Sequence, residues 1–175
     1  MFSKCIGLFR KYYENGQLRD SSFYDNETGV MYNSFQYFES GQLMGRYAAD
    51  WKTGKIISEG YNENGEPIKN FVYFKQAQFK GGGTAWSDYL GRNIKSKIPV
   101  QNGAPRGSYQ VIVRLMIAKD GNIKDVIPLT NFGFGMEEEV VRGVKSAPNW
   151  TPKIFLNKND FIILRQPITF VVQEK

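Results

Sequence analysis

The first half of the chain repeats a glycine turn every 11 to 13 residues, and this repeat restricts what it can fold into. The glycines at positions 16, 29, 41, 54 and 65 lie in the segments "YYENGQL", "FYDNETGV", "YFESGQL", "DWKTGKI" and "YNENGEPI". A turn residue and glycine between aromatic and aliphatic residues favour a hairpin, because the turn requires positive φ. Each segment therefore predicts a strand, a tight turn and a strand. One hairpin is marginally stable in water, so consecutive hairpins are expected to form a meander that buries their aromatic stripe.

This repeating region resembles the MORN-type repeats, in their bacterial form, over about 60 residues. The resemblance implies an extended antiparallel sheet that serves as an interaction or spacer module without chemistry of its own. The residues leave two interpretations open. The region is either a structural β-meander with core aromatics or a dedicated ligand surface.

Beyond residue 75 the pattern changes to longer apolar periods. Gly81 to Gly83 precede Ala85, Trp86, Tyr89 and Leu90, whose spacing predicts one buried face of a helix. A strand from residue 107 places five apolar residues on one face: Tyr109, Val111, Val113, Leu115 and Ile117. Asp120 and Gly121 predict the turn that follows. The returning strand contains Ile123, Val126, Ile127 and Leu129.

Residues 134–147 predict a second helix, which Pro148 ends. Its apolar face consists of Met136, Val140, Val141 and Val144. Glu137 to Glu139 occupy the first turn, where the helix dipole favours acids, and are expected to be a solvated helix start rather than a catalytic pair. Trp150 is expected to fill space between this helix and the sheet. Residues 159–173 predict a long final strand.

The predicted fold class is α+β, with an antiparallel meander of MORN-like hairpins in residues 1–75. Residues 76–175 are expected to form a small antiparallel sheet with two helices. The motifs "FKGGGTAWSDYLGRNI", "GMEEEVVRGVKSAPNWTP" and "QPITFVV", with the hairpin of residues 107–126, resemble the C-terminal domain of TonB in its Bacteroidetes form. The likeness covers residues 77–173.

The TonB resemblance implies a periplasmic domain whose last strand is an exposed edge. An extended peptide of an outer-membrane receptor adds to that edge through backbone hydrogen bonds. The implied peptide-binding strand consists of Phe161, Ile162, Ile163, Leu164, Arg165, Gln166, Ile168, Thr169, Phe170 and Val171. Pro167 independently favours an edge position, since it forfeits one ladder donor.

Alternation divides the final strand into two faces. One face carries Phe161, Ile163, Arg165, Pro167, Thr169 and Val171. The other carries Ile162, Leu164, Gln166, Ile168, Phe170 and Val172, which are expected to be core.

The chain departs from typical TonB proteins in two respects. After the first helix it has the longer, more basic segment "KSKIPVQNGAPRG" where relatives carry a "YP" element. The second departure is at the start. Typical TonB proteins begin with a membrane helix and a proline-rich spacer, and here a MORN-like meander occupies that place. No segment approaches the roughly 20 apolar residues that cross a bilayer, so no direct membrane insertion is expected. The expected location is the periplasm if an export signal precedes Met1, and the cytoplasm otherwise. A lipid anchor at Cys5 is disfavoured, because no apolar stretch precedes it.

The composition argues against catalysis and against a bound metal or other cofactor. The chain contains no histidine and one cysteine, and it lacks a nucleophile elbow and a phosphate-binding loop. Its net charge of +6 comes from the second half, where fourteen Lys and Arg face eight Asp and Glu. Lys95, Lys97 and Arg106 form a basic loop without interleaved aromatics, so nucleic-acid binding is not expected.

The sequence thus favours a non-enzymatic protein that binds an extended segment of an outer-membrane or other envelope protein by strand addition. Two alternatives stay open. One is a structural or accessory scaffold, and the other is a homodimer formed through the same edge.

Overall fold

The computed structural model describes residues 6–50 and 52–173, so the lipid-anchor question at Cys5 lies outside the described residues. The chain divides into two compact units. Unit 1 comprises residues 1–75 and 154–158, and unit 2 comprises residues 76–153 and 159–175. The sheets are antiparallel and accompany helices, which confirms the mixed α and β class with mostly antiparallel sheets.

Unit 1 is built on a five-stranded antiparallel meander with the strands in chain order. They are β1 (Gly7–Tyr12), β2 (Leu18–Tyr24), β3 (Met31–Tyr37), β4 (Leu43–Asp50) and β5 (Lys55–Gly60). The glycines at 16, 29, 41 and 54 all have positive φ in the connecting turns, which confirms the predicted hairpins. Gly65 also has positive φ, but its turn joins only an isolated bridge, between Tyr61 and Pro67. The expected last strand pair is therefore reduced to this bridge, flanked by hydrogen bonds from the N–H of Asn62 to Glu66 and from the N–H of Ile68 to Gly60.

The expected burial of the aromatic stripe is also wrong. The buried residues in the described part of the meander are polar or glycine: Asp20, Ser21, Ser22, Ser34, Gly45 and Gly60. Among the described residues of unit 1, the buried aromatics are Phe71 and Tyr73, which follow the meander in sequence. The ring of Phe71 lies directly against Gly60 and close to Gly45, where side chains would block it. Because these sheet residues are small or polar, there is room beside them for the rings of Phe71 and Tyr73, which belong to a later segment.

Three short strands form a second sheet in the order β10-β9-β6. They are β6 (Phe74–Lys75), β9 (Lys153–Phe155) and β10 (Lys158–Asp160). The prediction of one uninterrupted strand over residues 159–173 is therefore wrong at its start. Leu156 and Asn157 turn the chain between β9 and β10 with φ of 50° and 60°.

Unit 2 contains a three-stranded sheet in the order β11-β7-β8. Its elements are α1 (Gly82–Asn93), α2 (Ile98–Gln101), β7 (Gly107–Ile117), β8 (Ile123–Pro128), α3 (Met136–Lys145) and β11 (Ile162–Val172). The one-turn helix α2 was not predicted. In the core, Val111, Val113, Leu115 and Ile117 meet Trp86 and Leu90 of α1 and Met136, Val140 and Val144 of α3. These contacts confirm the apolar faces expected for both longer helices and for β7.

Trp150 belongs to the same core. Its ring packs edge-on against Phe79 and Trp86, with centroid distances of 5.6 and 5.0 Å. Trp150 thus packs beside α1, whereas the expected position was between the second helix and the sheet. In the described part of the chain, no helix is both long and apolar enough to cross a bilayer.

The acids at the start of α3 are not a solvated cluster, contrary to expectation. Glu137 and Glu139 are buried, and only Glu138 is exposed. Glu137 accepts hydrogen bonds from the N–H groups of Phe132 and Gly133 and from the hydroxyl of Thr130. These bonds satisfy a carboxylate that burial would otherwise destabilise. Sequence spacing identified the helix but not the loops that fold back over its first turn.

Candidate functional site

Strand β11 lies at one edge of the unit 2 sheet. It pairs with β7 alone along its whole length, from Ile162 opposite Ile117 to Val172 opposite Gly107. Among residues 6–50 and 52–173, no strand pairs with the other side of β11. An unpaired strand edge presents a row of N–H and C=O groups that can pair with another chain.

The hydrogen bonds of β7 show which backbone groups of β11 point outward. Ile112 accepts a hydrogen bond from the N–H of Leu129 and donates its own N–H to Thr130 Oγ1, both on the side of β8. Because alternate residues of a strand direct their backbone groups to opposite sides, the odd-numbered residues of β7 point towards β11. Their partners on β11 are even-numbered. The odd-numbered residues of β11 therefore direct their backbone groups outward.

Pro167 lies in this outward row, opposite Ile112. The sequence-based expectation that it forfeits a ladder donor is thus wrong in detail, since the missing N–H would face away from the sheet. Its carbonyl accepts a hydrogen bond from Gln166 Nε2 at 2.9 Å, while Gln166 Oε1 accepts one from Trp86 Nε1 at 2.8 Å. The outward N–H donors that remain in the strand are those of Ile163, Arg165, Thr169 and Val171.

The side chains of β11 alternate as the sequence predicts. Ile162, Leu164 and Ile168 pack against the core, and Phe170 and Val172 are buried. The odd-numbered side chains are exposed, with Phe161, Ile163 and Val171 at 49%, 53% and 63%. The ten residues of the predicted binding strand therefore separate into two groups. One group has exposed side chains that can contact a partner: Phe161, Ile163, Arg165, Thr169 and Val171. The other group lies on the core-facing side of the strand: Ile162, Leu164, Gln166, Ile168 and Phe170. The N–H of Phe161 is already used by Asp160 Oδ1, at 2.9 Å.

Two arginines lie side by side at the middle of this surface. Arg165 on β11 is directly opposite Arg114 on β7, and both are exposed. Within the described residues, neither has a hydrogen-bond or ion-pair partner. Like charges directly across a sheet are destabilising, whereas two adjacent guanidinium groups match a carboxylate well. Arg114 was missed in the sequence, because its neighbour across the sheet is 51 positions away.

The face around these arginines is partly apolar. Ile163, Met116 and Ile127 occupy the same side of the sheet, next to Arg165 and Arg114 in the strand register. Ile127 is 42% exposed. Asp125, opposite Met116, lies on the same face. The surface therefore combines an open backbone edge, exposed aliphatic side chains and two adjacent arginines that form no ion pair with the described residues.

The basic loop named in the sequence lies near the C-terminal part of β11, where Ser96 lines a small cavity with Ile168, Thr169 and Phe170. Lys95 and Lys97 precede α2 and Arg106 follows it, and all three are exposed. The backbone N–H of Lys95 donates to Glu139 Oε1 at 2.7 Å, so this segment also anchors the loop to α3. No group of His, Cys, Asp and Glu side chains suited to a metal ion occurs within the described residues.

Comparisons of the chain with protein-family models, curated proteins and solved structures give no match. The resemblances to TonB and to MORN repeats therefore depend on the quoted motifs alone.

Proposed function

We propose that unit 2 binds an extended segment of a partner protein, which adds as a fourth strand beside β11. The observation that carries this proposal is the open edge, with four outward N–H donors in an 11-residue strand. Main-chain pairing of this kind supplies affinity, and side chains on alternate positions select the partner. The proposed role is non-enzymatic.

The exposed side chains indicate the chemistry of the partner. An added strand places one residue directly beside Arg165, and an acidic residue there would neutralise the two adjacent arginines. Residues two positions away would lie near Ile163 and Pro167, so apolar residues are expected on either side. The TonB-like motifs support an outer-membrane or other envelope protein as the partner and the periplasm as the compartment.

The edge is tested with Thr169→Pro, which removes one outward N–H and should leave the ladder with β7 intact. Native Pro167 shows that the strand accommodates proline on this side. The matched control is Thr169→Val, which retains the N–H. We expect a synthetic ten-residue segment of an outer-membrane receptor, with a central Glu between apolar residues, to bind the wild type and the valine variant. Isothermal titration calorimetry should show the proline variant weakened about tenfold or more.

Two further measurements examine the position and charge of the bound segment. Amide chemical shifts should change chiefly at Ile163, Arg165, Thr169 and Val171. Arg165→Gln should weaken the Glu peptide more than its Gln counterpart. Saturable binding of neither peptide, or shift changes confined to another surface, would contradict the proposal.

The same edge also supports self-association, because two copies of β11 offer each other the same free groups. Sedimentation equilibrium at several concentrations distinguishes the two possibilities. A dimer that Thr169→Pro converts to monomer, together with no peptide binding, would favour the homodimer.

A further inference from the structure

Unit 1 contains a half-open cavity of about 430 Å³ over strands β1 to β3. This volume falls within the range of small-molecule sites in proteins. Its floor includes Lys11 of β1, Asp20 and Ser22 of β2 and Ser34 of β3. Its walls are largely aromatic: Phe9, Tyr24, Tyr73, Phe74 and Phe155. All of these residues belong to unit 1.

Asp20 is the unusual group in this cavity. Its side chain is 10% exposed, and its one ion pair within the described residues is with Arg19 Nε at 4.0 Å. It accepts no hydrogen bond from the described part of the chain. A buried carboxylate normally accepts several hydrogen bonds, because burial without them is costly. Its oxygens therefore have acceptor capacity left for a molecule in the cavity.

The neighbouring hydroxyl groups, by contrast, are occupied by one another. Ser22 Oγ and Ser34 Oγ are 2.7 Å apart, and Ser34 Oγ is 2.7 Å from the Tyr73 hydroxyl. Burial raises the pKa of Tyr73, and the negative charge of Asp20 contributes in the same direction. The hydroxyl chain thus forms a neutral surface beside the Asp20 carboxylate, whose one ion pair among the described residues is with Arg19.

A β-bulge places a positive charge beside this carboxylate. Lys11 pairs with Asp20 and Tyr12 pairs with Leu18, so Arg19 is the extra residue of β2. A bulge redirects side chains, and both Arg19 and Asp20 line the cavity. Lys11 lies directly across from Asp20, yet its ammonium group is over the Phe9 ring, 5.2 Å from the centroid. The cavity therefore combines one buried anion, Asp20, with two cations, Lys11 and Arg19, that are exposed.

We propose that this cavity binds a small zwitterion of the amino-acid type. The ligand's ammonium group donates to the Asp20 carboxylate, and its carboxylate lies between Lys11 and Arg19. Its apolar side chain packs against Phe74 and Phe155. A ligand with both charges pairs with every charged group of the cavity, whereas a simple cation would add a third positive charge and leave Lys11 and Arg19 without a ligand anion. This inference is independent of strand addition by unit 2.

Three probes of similar shape test the charge pattern: L-phenylalanine, 2-phenylethylamine and 3-phenylpropionate. The second lacks the carboxylate and the third lacks the ammonium group. Amide chemical shifts of the full chain, followed during titration, give the affinity of each. We expect L-phenylalanine to shift the amides of β1 to β3 and to bind about tenfold or more tightly than either truncated probe.

Two substitutions assign the groups, with Glu14→Gln at an exposed turn as the control. Asp20→Asn should weaken L-phenylalanine and 2-phenylethylamine about tenfold and leave 3-phenylpropionate unchanged. Lys11→Gln should weaken L-phenylalanine and 3-phenylpropionate instead. Circular dichroism establishes that each variant is folded.

The proposal is overturned if L-phenylalanine causes no saturable shift at millimolar concentration. It is equally overturned if either truncated probe binds the wild type as tightly as L-phenylalanine, or if a folded Asp20→Asn variant retains full affinity. Should that variant fail to fold, the comparison of the three probes on the wild type decides alone.

Discussion

At the scale of single residues, neighbouring glutamates of α3 play different parts. Glu139 accepts a hydrogen bond from the backbone of Lys95, and it pairs with Arg142, whose Nη2 lies 2.6 Å from Glu139 Oε1. The guanidinium group of Arg142 in turn donates to the carbonyl of Asn93. Glu139 thus connects α3 to the chain that leaves α1. Glu138, one position earlier, is exposed.

We predict that Glu139→Gln destabilises unit 2 by about 1 to 3 kcal/mol at neutral pH, whereas Glu138→Gln is close to neutral. The hydrogen bond from Arg142 lowers the pKa of Glu139 below its ordinary value of 4.5. A lowered pKa in the folded state stabilises the protein above pH 4.5, and this contribution is lost as the pH falls through the folded-state value. Urea denaturation at several pH values measures the effect.

The glutamine variant should therefore differ most from wild type near pH 7 and progressively less below pH 4. A difference that stays constant with pH would show that the ionised carboxylate contributes nothing. An equal loss in Glu138→Gln would show that the effect is not specific to the buried position.

Single residues also show where sequence analysis fails. Alternation in the meander indicates strands with two faces, but the residues buried in the sheet are polar or glycine rather than the expected aromatic stripe. Burial of Asp20, Ser22 and Ser34 depends on Tyr73 and on residues 155 and 156, which are remote in sequence. Local periodicity carries no information about a covering segment that distant. The cavity was for this reason not predicted, although the sequence left a ligand surface open as an alternative.

At the scale of elements, the hairpin turns are the best predicted features, because their chemistry is local. The turns at Gly16 and Gly121 have the same φ of 84° and the same hydrogen-bond pattern. In each, the glycine N–H donates to the residue three positions earlier. The hairpin between β9 and β10 was missed because Leu156 and Asn157 supply positive φ without a glycine.

We predict that Gly121→Ala is more destabilising than Gly16→Ala. Both variants strain a left-handed residue by about 1 to 2 kcal/mol. At Gly16 a methyl group meets open space, whereas at Gly121 it meets the backbone carbonyl of Trp150. Relieving that clash should add about 1 to 3 kcal/mol. Thermal unfolding of both variants measures the difference, and equal losses would contradict it.

The C-terminal strand was identified, but only part of its surface could be read from sequence. Alternation gave the two faces of β11, since side chains follow a local period of two. The direction of the free N–H groups required the register with β7, and the pairing of Arg165 with Arg114 required the same register. Both depend on a partner strand far away in the chain.

At the scale of the whole molecule, the two units are not two consecutive segments of the chain. Residues 154–158 are inserted between parts of unit 2 yet belong to unit 1. There the N–H of Leu156 donates to Tyr73 and that of Asn157 to Val72, each at 2.8 Å. The Phe155 ring packs edge-on against Tyr73, with centroids 5.8 Å apart. A boundary at residue 75 alone would omit these contacts.

We predict that a fragment of residues 1–75 is less stable than the same fragment joined by a flexible Gly-Ser linker to residues 153–160. The appended hairpin restores two backbone hydrogen bonds and covers Tyr73, which is 1% exposed in the full chain. Together these contacts should contribute about 2 to 4 kcal/mol. Near-UV circular dichroism and urea unfolding measure the difference.

The matched control carries Phe155→Ala and Leu156→Ala within the linked hairpin. It retains the linker and the backbone donors but loses the side chains that cover Tyr73, so its stability should lie between those of the other two fragments. If residues 1–75 alone unfold as cooperatively and at the same urea concentration as the linked fragment, the inserted segment does not stabilise unit 1. In that case the meander and the segment through Lys75 form a complete folding unit by themselves.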